Sequence, residues 1–261
     1  MAINRRTFLK AAGLTTLAGI GGHAAMELFA PGSLGASGPA RVTAYPEALH
    51  GERWAMAIDM ERFTSARLYQ QCIDACHQRH NVPHISGKDA IKWIWTGSYK
   101  ETFTDQQSII VPEEVKNQPF LMLCNHCDNP PCVRVCPTRA TFRREDGVVT
   151  MDMHRCIGCR YCMAGCPYGA RSFNYRDPRP FIRNMDSTYP TRTKGVVEKC
   201  TFCDDRLDRG LFPACVEASE GALVFGDLDN PDSDVRRVLK ERYSMVRKPS
   251  LGTKPHVFYL I

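Results

Sequence analysis

Short apolar segments, separated by glycine- and proline-rich stretches, dominate the pattern of hydrophobic and polar positions along the chain. Two of these segments, 140–142 and 148–151, flank a Glu-Asp-Gly turn and predict a β-hairpin. Similar segments recur at 170–173 and 222–225. Late in the chain, residues 232–243 are the best candidate for a helix. The pattern therefore predicts short strands and small helices, with few long helices.

The first residues have the pattern of a targeting segment. An Arg5-Arg6 pair precedes a weakly apolar stretch over residues 11–20. We interpret residues 1–37 as a twin-arginine signal, which addresses already folded proteins for export and is here either cleaved or retained as an anchor. The alternative is the basic start of an ordinary helix. The signal predicts a periplasmic or otherwise extracytoplasmic protein.

The overall composition is that of a globular chain. Of its 261 residues, 43% are hydrophobic, which is enough for a sizeable core. The mean hydropathy is −0.32, and past residue 30 no run of about 18 apolar residues would span a membrane. The net charge of +6 comes from scattered lysines and arginines, so no nucleic-acid partner is expected.

Cysteine is the exceptional residue. The chain has 13 cysteines, about three times an ordinary share, and their odd number argues against a fully paired disulfide framework. Two complete runs have the forms Cys124-x2-Cys127-x4-Cys132-x3-Cys136-Pro137 and Cys156-x2-Cys159-x2-Cys162-x3-Cys166-Pro167. The second run matches the bacterial ferredoxin pattern, in which the fourth cysteine binds the other cluster of a pair.

This exchange of fourth ligands predicts two [4Fe–4S] clusters. One would be bound by Cys124, Cys127, Cys132 and Cys166, and the other by Cys156, Cys159, Cys162 and Cys136. Structural zinc is the main alternative, but zinc leaves the trailing x3-Cys-Pro of each run unexplained. Disulfides would be crowded within such short loops.

Two incomplete runs predict a third cluster and a lost fourth one. Cys200-x2-Cys203 is followed by Cys215, and Cys72-x3-Cys76 would complete a run that begins at Ala66 and Tyr69. With the same exchange, the third cluster takes Cys76, Cys200, Cys203 and Cys215. The fourth site would consist of Ala66, Tyr69, Cys72 and Ser219 and has lost three thiolates. Twelve cysteines are then ligands, and Cys72 is left over.

The lost site is expected to be a packed, metal-free plug at one end of the cluster row. We expect its loops to keep the ferredoxin course, Tyr69 to fill the space and Cys72 to be a buried, inert thiol. Two alternatives concern Cys72 and Cys76, which together with His77 would form a widened haem c attachment motif, or would form a disulfide with each other.

These runs predict an α+β fold of two bacterial-ferredoxin-like units with short sheets and small helices. The outer unit, 52–120 and 185–230, is split around the inner unit, 121–184, and residues 231–261 form a C-terminal extension. The outer cluster needs a longer loop between its ligands, from residue 76 to residue 200, so we expect chelation to release it first.

Other chemistry-bearing residues receive structural interpretations. The tryptophans are expected in the core, at Trp54, Trp93 and Trp95. The histidines near the cysteine runs are expected to be hydrogen-bonded or solvated: His77, His80, His84, His126 and His154. Several arginines are expected to compensate the negative charge of the clusters: Arg134, Arg143, Arg144, Arg155, Arg160 and Arg171.

The stretches 124–132, 156–167 and 199–215 resemble the exported four-cluster iron–sulfur subunits of polysulfide, nitrite and tetrathionate reductase-type complexes. The resemblance covers roughly residues 52–261. Within this superfamily, segments 53–54, 80–83, 91–95 and 176–181 are most similar to the DsrO group, the exported ferredoxin subunits of the membrane complex linked to dissimilatory sulfite reduction.

The resemblance implies an electron-transfer subunit that relays single electrons between a multi-span, quinone-interacting membrane subunit and a redox partner, an exported multihaem cytochrome c. Alternatives are the iron–sulfur subunit of a related polysulfide, tetrathionate or nitrite complex, a catalytic reductase component, or a zinc-bound scaffold. No nucleophile–base pair, phosphate loop or open metal site stands out, so no catalytic site is expected in this chain.

Overall fold

The computed structural model describes residues 45–105 and 110–261, and the predicted signal, 1–37, lies outside these ranges. The described residues form one compact unit. Its strands are β1 (Trp54–Asp59), β2 (Ile94–Gly97), β3 (Phe120–Leu123), β4 (Thr141–Arg143), β5 (Val149–Met151), β6 (Ser172–Phe173), β7 (Val197–Glu198), β8 (Leu223–Asp227), β9 (Ser244–Met245) and β10 (Val257–Leu260).

Its helices are short, apart from the first. They are α1 (Ala66–Arg79), α2 (Tyr99–Thr102), α3 (Glu113–Asn117), α4 (Pro131–Arg134), α5 (Tyr161–Ala164), α6 (Asp204–Leu207), α7 (Ala214–Glu217) and α8 (Asp234–Glu241), with 3₁₀ turns at Gly87–Asp89, Arg179–Phe181 and Pro249–Leu251. No helix within the described ranges has the length and apolar content needed to cross a membrane.

A four-stranded sheet in the order β8-β1-β10-β9 lies at the centre of the described chain. β1 pairs in parallel with β10 and antiparallel with β8, with Met56 opposite both Val257 and Phe225. Every residue of β1 is buried, as expected for a central strand that is covered on both faces. The core therefore begins in this strand.

The segment 231–261 does more than extend the fold. β10 lies between β1 and β9 in the central sheet, and Tyr259 is fully buried with its hydroxyl donating to the carbonyl of Leu121 at 2.8 Å. The backbone N–H of His256 donates to the carbonyl of Asn125, inside the first cysteine run. The last strand thus positions a cysteine loop.

The remaining strands form small pairs, β2 with β3, β4 with β5 and β6 with β7. The predicted hairpin is confirmed as β4 and β5, in which Thr141 lies opposite Met151. The predicted late helix is confirmed as α8. The mixture of short sheets and small helices agrees with the predicted α+β class.

The prediction for α1 was wrong in one respect. Positions Ala66, Tyr69, Cys72 and Cys76 were expected to follow the loop course of a ferredoxin run, but they lie on one continuous helix. The Ser65 hydroxyl caps it by accepting from the backbone N–H of Leu68. Cysteines are absent at positions 66 and 69, so no metal ligation would hold this segment in a loop. Its first residues, Ala66, Arg67 and Leu68, have high helix propensity, and the helix begins at Ala66.

Tyr259 provides a test of the role of β10. We expect Tyr259→Ala to lower the free energy of unfolding by about 3–5 kcal/mol, because it leaves a cavity beneath the central sheet. Tyr259→Phe removes only the hydrogen bond to Leu121 and should cost about 1 kcal/mol. Denaturant unfolding followed by circular dichroism measures both. Equal, small losses would mean that β10 is a peripheral extension.

Candidate metal centre

All 13 cysteines lie in the described residues, and none is disulfide-bonded. The Cys72–Cys76 disulfide considered above is therefore not formed. We name the predicted ligand sets by position: the outer group (Cys76, Cys200, Cys203, Cys215), the middle group (Cys124, Cys127, Cys132, Cys166) and the rim group (Cys136, Cys156, Cys159, Cys162). The thiols of the outer group are all buried, whereas Cys159 of the rim group is exposed.

The structure brings the outer group together although more than 120 residues separate its members. Burial raises the pKa of Cys76 well above its usual value, and the nearby thiolates of Cys215, Cys203 and Cys200 raise it further. Cys76 lies in the last turn of α1, and Cys215 lies in α7. The repulsion among these four sulfurs means that they share one small buried volume.

The middle group is linked in the same way. Burial raises the pKa of Cys127 to about 12, and the thiolates of Cys124, Cys132 and Cys166 contribute to the rise. Cys124 also raises the pKa of Cys166. Cys166, the last cysteine of the second run, therefore lies with three cysteines of the first run.

The rim group is only partly linked by contacts between its thiols. Burial raises the pKa of Cys162, with contributions from the thiolates of Cys132 and Cys156. Burial also acts to raise the pKa of Cys136, but hydrogen bonds from the backbone N–H of Thr141 and from Thr138 lower it overall. Cys136 is partly exposed and Cys159 is exposed, so both thiols reach the protein surface.

The same interactions give the order of the groups. The thiolate of Cys124 raises the pKa of Cys200, so the outer and middle groups are neighbours. Cys132 interacts with Cys162, so the middle and rim groups are neighbours. The ring of His126, between Cys124 and Cys127, stacks on Phe202, between Cys200 and Cys203, at a centroid distance of 3.6 Å. The middle group thus lies between the other two.

The three Cys-x2-Cys loops share one backbone feature. The residue before the second cysteine has a positive φ in each loop, 41° at His126, 70° at Gly158 and 54° at Phe202. Non-glycine residues rarely adopt this conformation, and it persists where the surroundings impose it. A left-handed residue beside right-handed ones is the backbone geometry that forms concave anion sites, including those of iron–sulfur clusters.

The donor sets fit a cluster better than a single ion. Within 45–105 and 110–261, no three His, Cys, Asp or Glu side chains come close enough together to bind one metal ion. The outer and middle groups each bring together four thiols that act on one another electrostatically, a ligand number that suits a cubane of iron and sulfide. Thiolates are also the usual protein ligands of such clusters.

The fourth predicted site has no such cradle. Leu68 precedes Tyr69, the second position of the incomplete run, as His126 precedes Cys127 and Phe202 precedes Cys203. Leu68 is helical, however, and lies inside α1. Cys72 and Ser219 are fully buried, and Cys72 lies close enough to Cys215 to raise the pKa of that thiol. Ala66 is exposed. The structure thus buries Cys72 and Ser219, with Cys72 beside Cys215 of the outer group, and leaves Ala66 exposed.

Tyr69 and Cys72 are held by packing and hydrogen bonds within the protein. The Tyr69 hydroxyl donates to the carbonyl of Pro119, and its ring stacks on Phe63 at 4.4 Å. The Ser219 hydroxyl donates instead to the carbonyl of Val216. Burial raises the pKa of Cys72 to about 12, which keeps this thiol protonated at neutral pH.

Two buried cations accompany the groups. Arg171 lies beside Cys132, Cys162 and Cys124, and although burial acts to lower its pKa, these thiolates raise it overall. Lys199, which is fully buried, donates to the carbonyls of Val149 and Cys200. The sequence predicted charge compensation at Arg171. It missed Lys199, whose only signal was its position next to Cys200.

A buried ion pair was also missed. Arg192 and Glu198 are almost fully buried and pair at 2.6 Å. Trp93 and Asn174 donate to the same carboxylate, and Arg192 lies near enough to Cys76 to act against the rise in its pKa. No spacing in the sequence signals this network, because its members come from separate segments.

The histidines have the structural roles expected for them. His126 is buried and accepts from the backbone N–H of Val149 at 3.1 Å. The Nδ1 atom of His80 lies 2.9 Å from the carbonyl of Cys76, and its ring stacks on the buried Trp93. Burial lowers the pKa of His80 to about 3, so its ring is neutral. His154 is fully solvated.

The other predicted arginines lie nearer the surface. Arg144 is half-buried and pairs with Asp208 and Asp146, and Arg143 pairs with Asp128. Arg134, Arg155 and Arg160 are exposed.

Comparison with known proteins agrees with this geometry. Residues 115–179 match the model of the 4Fe-4S dicluster domain. This range contains both complete cysteine runs, and hence all predicted ligands of the middle and rim groups. The Hdr-like menaquinol oxidoreductase iron–sulfur subunit 1 of Archaeoglobus fulgidus is 42% identical over 230 residues, covering 79% of this chain and 82% of the relative. The chain belongs to the family of 4Fe-4S dicluster iron–sulfur subunits.

Further relatives come from other complexes. A subunit of the tetrathionate reductase of Salmonella typhimurium is 40% identical over 212 residues, covering 80% of this chain and 72% of the relative. Protein NrfC of Escherichia coli is 34% identical over 222 residues, with 84% and 85% covered. The function of this iron–sulfur subunit is electron transfer, and its dicluster domain binds [4Fe–4S] clusters.

Arg171 tests the electrostatics of the site. A buried positive charge favours the reduced, more negative cluster, so Arg171→Gln should lower the reduction potentials of the neighbouring clusters. We expect a shift of about 60 mV or more, equivalent to a tenfold change in a one-electron equilibrium. Redox titration followed by electron paramagnetic resonance measures it.

Arg171→Lys keeps the charge and is the matched control. It should shift the potentials much less at equal iron content. Equal potentials in the glutamine variant and the parent protein would contradict the proposed charge compensation.

Proposed function

We propose that this subunit relays single electrons through three [4Fe–4S] clusters, held by the outer, middle and rim groups. The observation that carries this proposal is the adjacency of the thiol groups, with the outer group beside the middle group and the middle group beside the rim group. When bound, the clusters supply one-electron redox capacity. The chain's own residues hold the sulfurs, exclude water from the outer and middle groups, and place Arg171 and Lys199 against the negative charge.

The lost fourth site shortens this relay without interrupting it. The proximity of Cys72 to Cys215 of the outer group supports a position of the lost site next to that group, and the middle group still neighbours both other groups. Electrons would therefore enter at one end group and leave at the other. The direction depends on the cluster potentials, which span a range of roughly −700 to +450 mV in proteins.

The partners we propose follow from the kinship and from the sequence. Relatives are named as subunits of a menaquinol oxidoreductase and of several reductases, which supports a quinone-interacting membrane subunit as one partner. We propose a multihaem cytochrome c as the other, as in the DsrO group. Co-purification and the identity of the neighbouring genes distinguish this complex from a tetrathionate-type reductase.

We also propose export by the twin-arginine route. The Arg5-Arg6 pair supports it, as does the need to insert clusters before translocation. The chain would then work outside the cytoplasm and be held at the membrane by its partners, and by the signal if that is retained as an anchor.

Cys76 and Cys72 form a matched pair of test positions. Both are buried on α1, one turn apart, and only Cys76 is a proposed ligand. The parent protein should contain about twelve iron and twelve sulfide per chain. Cys76→Ala should convert or destroy one cluster, because it removes a thiolate from the outer group alone.

Cys72→Ala should keep the full iron content and the parent spectrum. Iron and sulfide analysis, combined with low-temperature electron paramagnetic resonance of the reduced protein, measures both variants. Iron loss in the Cys72 variant, or none in the Cys76 variant, would refute the ligand assignment. Zinc without sulfide in the parent would refute the clusters.

The order in which a chelator removes the clusters gives a second test. Loop length predicted that the outer cluster would be lost first, but the burial of its thiols reverses this expectation. All thiols of the outer group are buried, whereas Cys159 is exposed and Cys136 and Cys156 are partly exposed. A chelator therefore reaches the rim cluster first, although its ligands are closer in sequence. The rim signal should disappear first during incubation with an iron chelator, with the Cys76→Ala spectrum identifying the outer signal. Earlier loss of the outer signal would mean that loop length outweighs solvent access.

A further inference from the structure

The rim group differs from the other two in what surrounds it at the surface. Three of its four thiols reach solvent, at Cys136, Cys156 and Cys159. Residues next to the outer and middle cysteines are buried instead, among them Leu123, His126, Lys199 and Thr201. Of the three groups, the rim group is therefore the most accessible to solvent and to a partner molecule.

Large apolar side chains flank each of these accessible thiols. Val135 precedes Cys136, Ile157 follows Cys156, and Tyr161 lies two residues after Cys159, with exposed fractions of 38%, 67% and 62%. Gly165 packs between the side chain of Val135 and the backbone carbonyl of Tyr161, so these two positions are neighbours. Exposed apolar side chains beside accessible thiols are typical of binding surfaces.

Arginines flank the same thiols. Arg134, Arg139, Arg155 and Arg160 are all exposed. Arg155 pairs with Asp152, and Arg160 packs over Phe173 and Tyr175. Among the described residues, no carboxylate pairs with Arg134, Arg139 or Arg160. We call this surface, Val135, Ile157 and Tyr161 with the four arginines, the rim face.

We propose that the rim face is the docking surface for a redox partner protein that presents an acidic border around its own electron-transfer group. The proposal rests on the three-cluster function and adds the chemistry of one partner. An apolar centre bordered by one sign of charge is the usual anatomy of such an interface. The unpaired arginines define the complementary charge.

The exposed thiol distinguishes this occupant from a lipid surface. Electron transfer needs close approach of two redox groups, and the thiol of Cys159 is exposed to solvent. A membrane covering this face would shield the most accessible cluster from any donor or acceptor. An acidic protein partner uses both the charge and the exposed cluster edge.

Small redox complexes of opposite charge test the electrostatics on the purified holoprotein. At low salt, anionic hexacyanoferrate should oxidise the reduced parent protein rapidly, because the arginines concentrate it at the exposed cluster. The double variant Arg134→Glu and Arg139→Glu should slow this reaction about tenfold and speed oxidation by a cationic ruthenium ammine. Both effects should disappear at high salt.

The matched control is Arg67→Glu with Arg183→Glu, which changes the net charge equally at exposed arginines elsewhere. It should leave both rates within about twofold of the parent protein. Equal effects in the two double variants would overturn the proposal, because net charge and not the rim face would then govern the rates.

Crosslinking in the intact complex tests the partner. Arg134→Lys introduces an amine that a carbodiimide joins directly to a neighbouring carboxylate, with Arg67→Lys as control. We expect a crosslink from position 134 to an acidic residue of a redox subunit and none from position 67. No crosslink at position 134, or equal yields at both positions, would overturn the proposal.

Two further measurements separate the other outcomes. Sedimentation with vesicles of phosphatidylglycerol and phosphatidylcholine tests the lipid alternative. Binding that the rim variant loses, with unchanged mediator rates, would assign the face to the membrane and overturn the proposal. Iron and sulfide are counted on the same samples. Missing clusters in the parent protein would mean that the three-cluster function is wrong, whereas full counts with a negative docking result would mean that only the docking proposal is wrong.

Discussion

Mutual repulsion among buried thiolates is the constraint on which this structure depends. Nine of the 13 cysteines are buried, and burial together with neighbouring thiolates raises the pKa of most of them. Without clusters, the native packing therefore favours protonated thiols at closely spaced positions. Cluster binding replaces those protons with iron, and its free energy becomes folding free energy. The fixed charges of Arg171 and Lys199 reduce the remaining repulsion.

The rest of the fold holds three cysteine loops in fixed relation to each other. The stacked rings of His126 and Phe202 join two of these loops directly. β10 supports the first loop from beneath, through the backbone bond between His256 and Asn125. Glu198 connects Trp93 and Arg192 beside the outer group. The apolar core runs from β1 to β10 and joins most segments, and metal ligation adds ties between the cysteine loops that the small sheets do not supply.

Local spacing made much of this predictable. The three close cysteines of a ferredoxin run are expected to face one point, and the thiols of the predicted outer and middle groups do lie near one another. The β4–β5 hairpin followed from its turn. Long-range pairing was less accessible. Parallel contact between β1 and β10 joins the two ends of the described chain, and no local pattern signals it. The Arg192–Glu198 pair was missed because its burial depends on packing between distant segments.

The helical course of α1 has a consequence for the history and engineering of the lost site. Returning cysteines to positions 66, 69 and 219 would supply thiols but not a receptacle, since Ala66 faces solvent and Leu68 is helical. A cluster there needs the first turn of α1 to unwind, with Leu68 replaced by a residue that tolerates positive φ and the Ser65 cap abandoned. This position therefore differs from a ferredoxin run in its backbone course as well as in its missing thiols, and building a cluster there demands several simultaneous substitutions.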